Sequence, residues 1–311
     1  MINIFEKIIR KKVLVNNEYF PSLAFNYIKN TKIKYVKNFC HIGRPNYFEI
    51  FKKWKEFKNL KKHFKNKIKK SKLADEIIVL AAGKGKRFLN ERIKVPKFLC
   101  KSGSKNKKMI LQVKDYLPSL RKINLISYRQ TQKLLNKNFN LFCLQKKTGG
   151  QAESALKIIN KLSNGKSFFV NCCDNFSIFE LKNFKSLKKY SDIIVFSSGN
   201  FETDSMTKDG SWVKSSSNII KKIFIKSTRI GMSKRVTGNF YFKNKEIFIK
   251  CYYEAFKKKN KNKEILIDDL AKQALKMKYK VNTISDKIYV NMGTPKLLRE
   301  FNFWEKYFDV R

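Results

Sequence analysis

One short stretch constrains this chain more than any other. An apolar run, Ile77-Ile78-Val79-Leu80, opens directly into Ala81-Ala82-Gly83-Lys84-Gly85-Lys86-Arg87-Phe88. The run is too short for a buried helix and reads as a buried strand. It empties into small residues, and two glycines let backbone N–H groups approach an anion with no Cβ in the way. Lys84, Lys86 and Arg87 sit on the same loop, and Lys97 follows Pro96 ten residues after Arg87. This arrangement suits a cradle for a triphosphate. Two better-known phosphate loops are excluded: the P-loop G-x-x-x-x-G-K-[ST] has no match in spacing, and the dinucleotide fingerprint needs a third glycine where Phe88 stands.

Composition narrows the class. With 311 residues the chain allows one large α/β domain or two smaller ones, with ample core. No apolar run approaches membrane-spanning length, and Met1 to Lys12 lacks the pattern of a secretory signal. The six cysteines form no C-x-x-C pair and only two histidines are present, so reduced thiols in the cytoplasm are expected rather than a disulfide framework or a zinc site. A net charge of +46 would ordinarily suggest nucleic acid, yet only ten of the 70 basic residues are arginine, the usual base reader. Most of that charge is read as solvated surface that attracts phosphorylated substrates, with indiscriminate polyanion binding at low salt and no specific nucleic-acid partner.

The stretch from Leu80 to Phe88, with Pro96-Lys97, resembles the opening motif of the nucleotidyltransferases that make NDP-sugars, L-A-[AG]-G-x-G-[ST]-R-[FLM] followed by P-K. Lys86 stands where that family has Ser or Thr. The resemblance implies an α/β fold: a Rossmann-like three-layer sandwich with a mixed central sheet and a β-rich insertion on the acceptor side, preceded here by a small α/β tail-like segment. It also implies Mg²⁺-dependent transfer from an NTP to a sugar 1-phosphate, or a similar small phosphorylated alcohol, with release of pyrophosphate. A role in making surface polysaccharide, and association of like copies, follow from the family alone.

The same resemblance assigns roles. Leu80, Ala81, Ala82, Gly83 and Gly85 would bind the nucleotide, Arg87 the β,γ-phosphates and Lys97 the α-phosphate. In Gln145-Lys146-Lys147-Thr148-Gly149-Gly150-Gln151-Ala152, Gln145 and Gly150 match the element that reads the nucleobase. Asp174, after the strand Phe168–Cys172, matches the Mg²⁺-binding aspartate. The second metal position, in Asn291-Met292-Gly293-Thr294-Pro295, holds Asn291 where the family has Asp, so weaker metal affinity is expected. On the acceptor side, Asp209-Gly210-Ser211-Trp212-Val213 and Val236-Thr237-Gly238-Asn239 resemble sugar-pocket strands. They nominate Gly210 and Gly238, and Lys226 for the acceptor's phosphate, while Ile225 replaces the usual glutamate. Asn291 and Ile225 also allow a second reading, a homologue that binds nucleotide in a regulatory or scaffolding role without turnover.

Residues 1–62 echo the end of the chain. His41-Ile42-Gly43-Arg44-Pro45 is followed by Tyr47, Phe48, Phe51 and Trp54, and Asn291-Met292-Gly293-Thr294-Pro295 by Leu297, Leu298, Phe301 and Trp304, at the same spacings from the glycine. Asn17-Glu18-Tyr19-Phe20 similarly echoes Lys263-Glu264-Ile265-Leu266. The expectation is a truncated C-terminal remnant of a first transferase domain at 1–65, a linker at 66–75, and the nucleotidyltransferase domain at 76–311. The recurrence of Phe51, Trp54, Phe57, Leu60, Phe64 and Ile68 among lysines reads as a basic amphipathic helix or helix pair. Its apolar face would pack on the main domain, on a further domain, or on a membrane surface. Beyond Glu76, strands are expected at 76–81, 123–127, 140–144, 167–172, 192–197, 219–226 and 236–243. Helices are expected at 107–117, 151–162, 179–189, 244–258, 265–278 and 295–308.

Overall fold

A computed structural model describes residues 2–28, 30–32, 34–36, 39–40, 43–118, 123–128, 139–198, 210–228, 231, 233–258 and 264–309. The chain forms two compact units, residues 1–41 and 42–311. In the first, helix α1 (Ile2–Arg10) and a 3₁₀ turn (Pro21–Tyr27) bury Ile8 and Ala24. A single bridge between Val15 and Glu18 is the β-structure among its described residues. Helical and turn structure thus stands where an α/β tail is expected.

The second unit opens with α2 (Pro45–Lys69), which buries Trp54, Phe57, Phe64 and Ile68. The 66–75 stretch expected as a linker covers the end of this helix and the short connection to β1 (Glu76–Leu80). Then follow α3 (Lys86–Asn90), β2 (Lys101–Ser102), β3 (Lys107–Lys108), α4 (Met109–Lys114), β4 (Ile123–Tyr128), β5 (Phe139–Leu144), α5 (Gln151–Ile159), β6 (Phe168–Cys172), β7 (Asn175–Ile178), α6 (Leu181–Lys188) and β8 (Ile193–Ser197). The chain continues with β9 (Gly210–Ser216), β10 (Ile219–Ser227), β11 (Lys234–Phe242), α7 (Lys245–Lys257), α8 (Ile267–Lys276), β12 (Val281–Ser285), β13 (Ile288–Asn291) and α9 (Pro295–Asp309).

Nine strands make one mixed sheet in the order β5-β4-β1-β6-β11-β8-β12-β10-β9. β1 lies parallel between β4 and β6, while β11 runs antiparallel to β6 and β8. Strand side chains alternate in direction, so Ile78 and Leu80 join a core beneath α5, α7 and α8. On the opposite face Phe184 of α6 packs on Phe196 and Tyr241, at 5.8 Å to each ring. The result is the three-layer mixed sandwich. The C-terminal ends of β1, β4 and β6 come together, which is where an open α/β sheet presents a crevice.

Three local features differ from the sequence reading. The helix expected at 107–117 is confined to α4, because Lys107-Lys108 pair with Lys101-Ser102 as a small ladder. Strand β12 escapes the apolar pattern because its polar residues are buried and bonded sideways: Asn282 Nδ2 donates to Ser191 Oγ at 2.7 Å and Thr283 Oγ1 to the Val195 carbonyl at 2.9 Å. A separate two-stranded ribbon pairs β7 with β13, setting Asn175 opposite Asn291.

Candidate active site

The loop after β1 is pinned on both sides. The Ala81 N–H donates to the Ile126 carbonyl at 2.9 Å and the Cys173 N–H to the Leu80 carbonyl at 3.2 Å. Gly85, at φ +63°, then turns the chain into α3. A cavity of about 400 Å³ opens above these strand ends. Leu80, Ala82, Gly83, Gly85, Lys84, Lys86, Lys97 and Lys147 line it, together with Cys172, Cys173 and Asp174. Tyr128, Thr148, Ser154, Glu264 and Leu266 close it from the other side.

At its floor the Lys97 Nζ donates to Asp174 Oδ2 at 2.7 Å. Both side chains are largely buried. Burial works against the Lys97 charge, but the Asp174 carboxylate outweighs it and holds the ammonium above the usual lysine range. The neighbouring thiols are pushed the other way. Burial and the Asp174 charge keep Cys172 protonated, and burial pushes Cys173 up to about 12 although Lys97 opposes it. Neither is an activated nucleophile.

Asp174 and Asn291 are brought together. The Met292 N–H donates to the Asp174 carbonyl at 2.7 Å, and the Gly293 N–H donates to Asn291 Oδ1 at 2.7 Å. A Cβ on Gly293 would stand 2.7 Å from Asp174 Oδ2 and 2.8 Å from Asn291 Oδ1. Two oxygens from residues far apart in sequence therefore flank the point where a Cβ at position 293 would stand. Among the described residues no cluster of three or more His, Cys, Asp or Glu side chains could hold a metal. This pair of oxygens suits a hard cation that takes its other ligands from phosphate and water, as Mg²⁺ commonly does.

The remaining expected residues divide. Gly150 has φ +143°, and a Cβ there would meet the Ile265 carbonyl oxygen at 2.6 Å. Its lack of a side chain lets the Glu264–Leu266 segment seat against α5, with the Ala152 N–H donating to the Ile265 carbonyl at 3.1 Å. Gln145 is exposed and lines an adjoining groove of about 680 Å³ that shares Lys147 and Thr148 with the cavity. Arg87 is exposed on α3 and is not among the residues lining the cavity. Gly238 touches the site from below, since a Cβ there would meet Cys172 Sγ at 3.2 Å. Gly210 packs against Arg235, with the guanidinium carbon 3.1 Å from the place of a Cβ. Lys226 is exposed at a break in the β9–β10 register and does not line the cavity. Asp209 and His41 lie outside the described residues.

Glu264 and Leu266 carry no sequence signal as site residues, because long-range packing brings them here, and Ser154 is one polar residue within a helix; Thr148 belongs to the Gln145–Ala152 element itself. Asp268, in the first turn of α8, also carries no such signal. Burial pushes its carboxyl up to about 6 against the pull of the Ser211 hydroxyl, and its charge acts on Cys172. Ser211 adjoins Gly210, so Asp268 stands beside the acceptor-side residues rather than the phosphate loop.

The nine-stranded mixed sheet, with its glycine-containing loop after β1 and a carboxylate just beyond β6, is a fold met before. Solved structures share it. A nucleoside-diphosphate-sugar pyrophosphorylase from Vibrio cholerae RC9 superposes with a TM-score of 0.56 at 16% identity, covering 72% of this chain and 98% of that one. The inositol-1-phosphate CTP transferase from T. maritima gives 0.56 at 18% identity, covering 76% and 97%. A UDP-glucose pyrophosphorylase complexed with UDP-glucose gives 0.55 at 16%, covering 76% and 99%. No protein-family model matches the chain, and no curated protein sequence does.

Proposed function

We propose that this chain is a nucleotidyltransferase that joins an NTP to a phosphorylated sugar, or a small phosphorylated alcohol, giving an NDP-conjugate and pyrophosphate. The observation that carries this reading is the Lys97–Asp174 contact at 2.7 Å on the floor of a lysine-rich cavity at the ends of β1 and β6. It is supported by the likeness of fold to enzymes of that chemistry.

The chemistry follows from what lines the cavity. Loop amides from Ala82 to Gly85, with the ammonium groups of Lys84, Lys86 and Lys147, offer donors and charge to a triphosphate. Lys97 would donate to the α-phosphate, its ammonium oriented by Asp174. An oxygen of the acceptor's phosphate attacks the α-phosphorus, the bond from that phosphorus to the bridging oxygen breaks, and pyrophosphate leaves with the electron pair. The attacking oxygen is already anionic, so no general base is needed; positioning and charge stabilisation do the catalysis. Asp174 and Asn291 would hold Mg²⁺, which neutralises phosphate charge when bound. Lys97 lines the cavity, which supports the role proposed for it, whereas Arg87 and Lys226 do not line it.

Pyrophosphate release tests this reading: each of the four NTPs and dTTP against a panel of sugar 1-phosphates and phosphocholine, with and without Mg²⁺. The expected result is a Mg²⁺-dependent signal lost in Asp174→Ala. Nucleotide binding with silence across the panel would overturn it.

A further inference from the structure

The internal repeat places Phe51, Trp54, Phe57 and Lys58 on α2 at the positions of Phe301, Trp304, Tyr307 and Phe308 on α9, each 250 residues apart. Both helices begin at the repeated proline, Pro45 and Pro295. They also pack on each other, and two of their aromatic contacts have an exchanged counterpart, although Phe51–Phe308 at 5.8 Å does not. Phe51 meets Trp304 with ring centroids 6.0 Å apart, and Trp54 meets Phe301 at 5.9 Å. Phe51 meets Tyr307 at 6.4 Å, and Phe57 meets Phe301 at 6.3 Å. The ring planes agree more loosely, at 61° against 46° and 85° against 61°. Lys58 Nζ lies over the Phe308 ring at 5.5 Å, a pair that exchanges into itself and therefore marks the axis.

Contacts in which i meets j while the counterpart of j meets the counterpart of i define an isologous interface, the form taken by two like surfaces about a two-fold axis. Helices that pack only by ridges and grooves have no need of this exchange. We propose that the aromatic face of α9 is a homotypic docking surface whose fitting partner is the α9 helix of a second copy, and that α2 occupies that place within the chain. Besides the ion pairs of Lys61 with Glu305 at 2.9 Å and Asp309 at 3.1 Å, which belong to α2 alone, one polar contact of the interface is compatible with this partner. Trp54 Nε1 donates to Glu300 Oε1 at 3.1 Å, and Trp304 is the counterpart of Trp54, so an α9–α9 pair sets an indole donor opposite Glu300 on both sides. This proposal is independent of the catalytic reading.

The test uses the full-length chain. Phe51→Ala with Trp54→Ala weakens the α2 side while Phe64 and Ile68 still anchor the helix. Light scattering should show twice the wild-type mass, and adding Trp304→Ala should restore the wild-type value. A folded double variant of unchanged mass overturns the proposal. Should that variant fail to fold, a second one decides: residues 45–58 replaced by the sequence of 295–308. The replacement should keep the wild-type Tm within a few degrees, while the same sequence shifted by two residues should lower it by about 10 °C. Equal losses in the two replacements overturn the proposal.

Discussion

Lys97 and Asp174 meet at 2.7 Å although one follows the glycine-containing loop after β1 and the other lies two residues beyond β6. Removing the ammonium should strip the reacting phosphate of its nearest fixed donor. Lys97→Ala should lower turnover by about 10²–10³-fold, the usual loss for one transition-state donor. Lys97→Arg should remain impaired, since a planar fork cannot replace a compact ammonium in that space. Pyrophosphate release measures both, and near-wild-type rates in Lys97→Ala would remove Lys97 from the mechanism.

Asn291 supplies an oxygen without charge. Asn291→Asp should lower the Mg²⁺ concentration for half-maximal activity by about tenfold, because a second carboxylate strengthens a hard-cation site. In EDTA the same variant should melt below wild type from repulsion with Asp174, and Mg²⁺ should reverse the deficit. A Tm insensitive to Mg²⁺ would place the cation elsewhere.

Gly293→Ala separates activity from folding. The added methyl would stand 2.7 Å from Asp174 Oδ2 and 2.8 Å from Asn291 Oδ1, and one of those oxygens must move. Turnover should fall at least about 100-fold through misplacement of reacting groups, while Tm changes little. Gly150→Ala should do the reverse damage, because its methyl would strike the Ile265 backbone. A loss of roughly 1–3 kcal/mol in unfolding titrations is expected.

Asp286 gives a pH test. It is buried with Ser177 Oγ donating to its Oδ2 at 2.5 Å, and burial pushes its carboxyl well above the usual carboxylate range. The folded state then holds a proton that the unfolded state releases. Its contribution is fully present below pH about 4 and is lost as pH rises toward the folded value, at about 1.4 kcal/mol per pH unit. Asp286→Asn cannot titrate, so its Tm relative to wild type should rise from pH 5 to pH 8. A constant difference across that range would show that Asp286 is not neutral in the fold.

The parts of this protein legible in its sequence are those fixed by local pattern. β1 and its loop are read from four apolar residues followed by small ones, and Asp174 from its place after a buried strand. The fold is implied by the family resemblance that this motif carries. What stayed hidden depends on distant partners. Asn282 and Thr283 look too polar for a central strand until Ser191 and the Val195 carbonyl are seen to bond them. Glu264 and Leu266 wall the cavity only because Gly150 admits the Ile265 backbone. Arg87 and Gln145 carry the right spacing, yet a motif states nothing about which way a side chain on a short helix or an exposed loop is turned.

The β7–β13 ribbon ties Asp174 and Asn291 to residues that do not line the cavity. Phe176, in β7, stacks on Tyr116 at 3.8 Å and packs on Phe57 of α2 at 6.0 Å. The floor of the cavity thus rests on a helix that precedes β1 and its glycine-containing loop. A random-mutation screen for lost activity would therefore return a cluster of hits on the inward face of α2, a region with no catalytic group, and its lysine-rich outward face would tolerate almost anything.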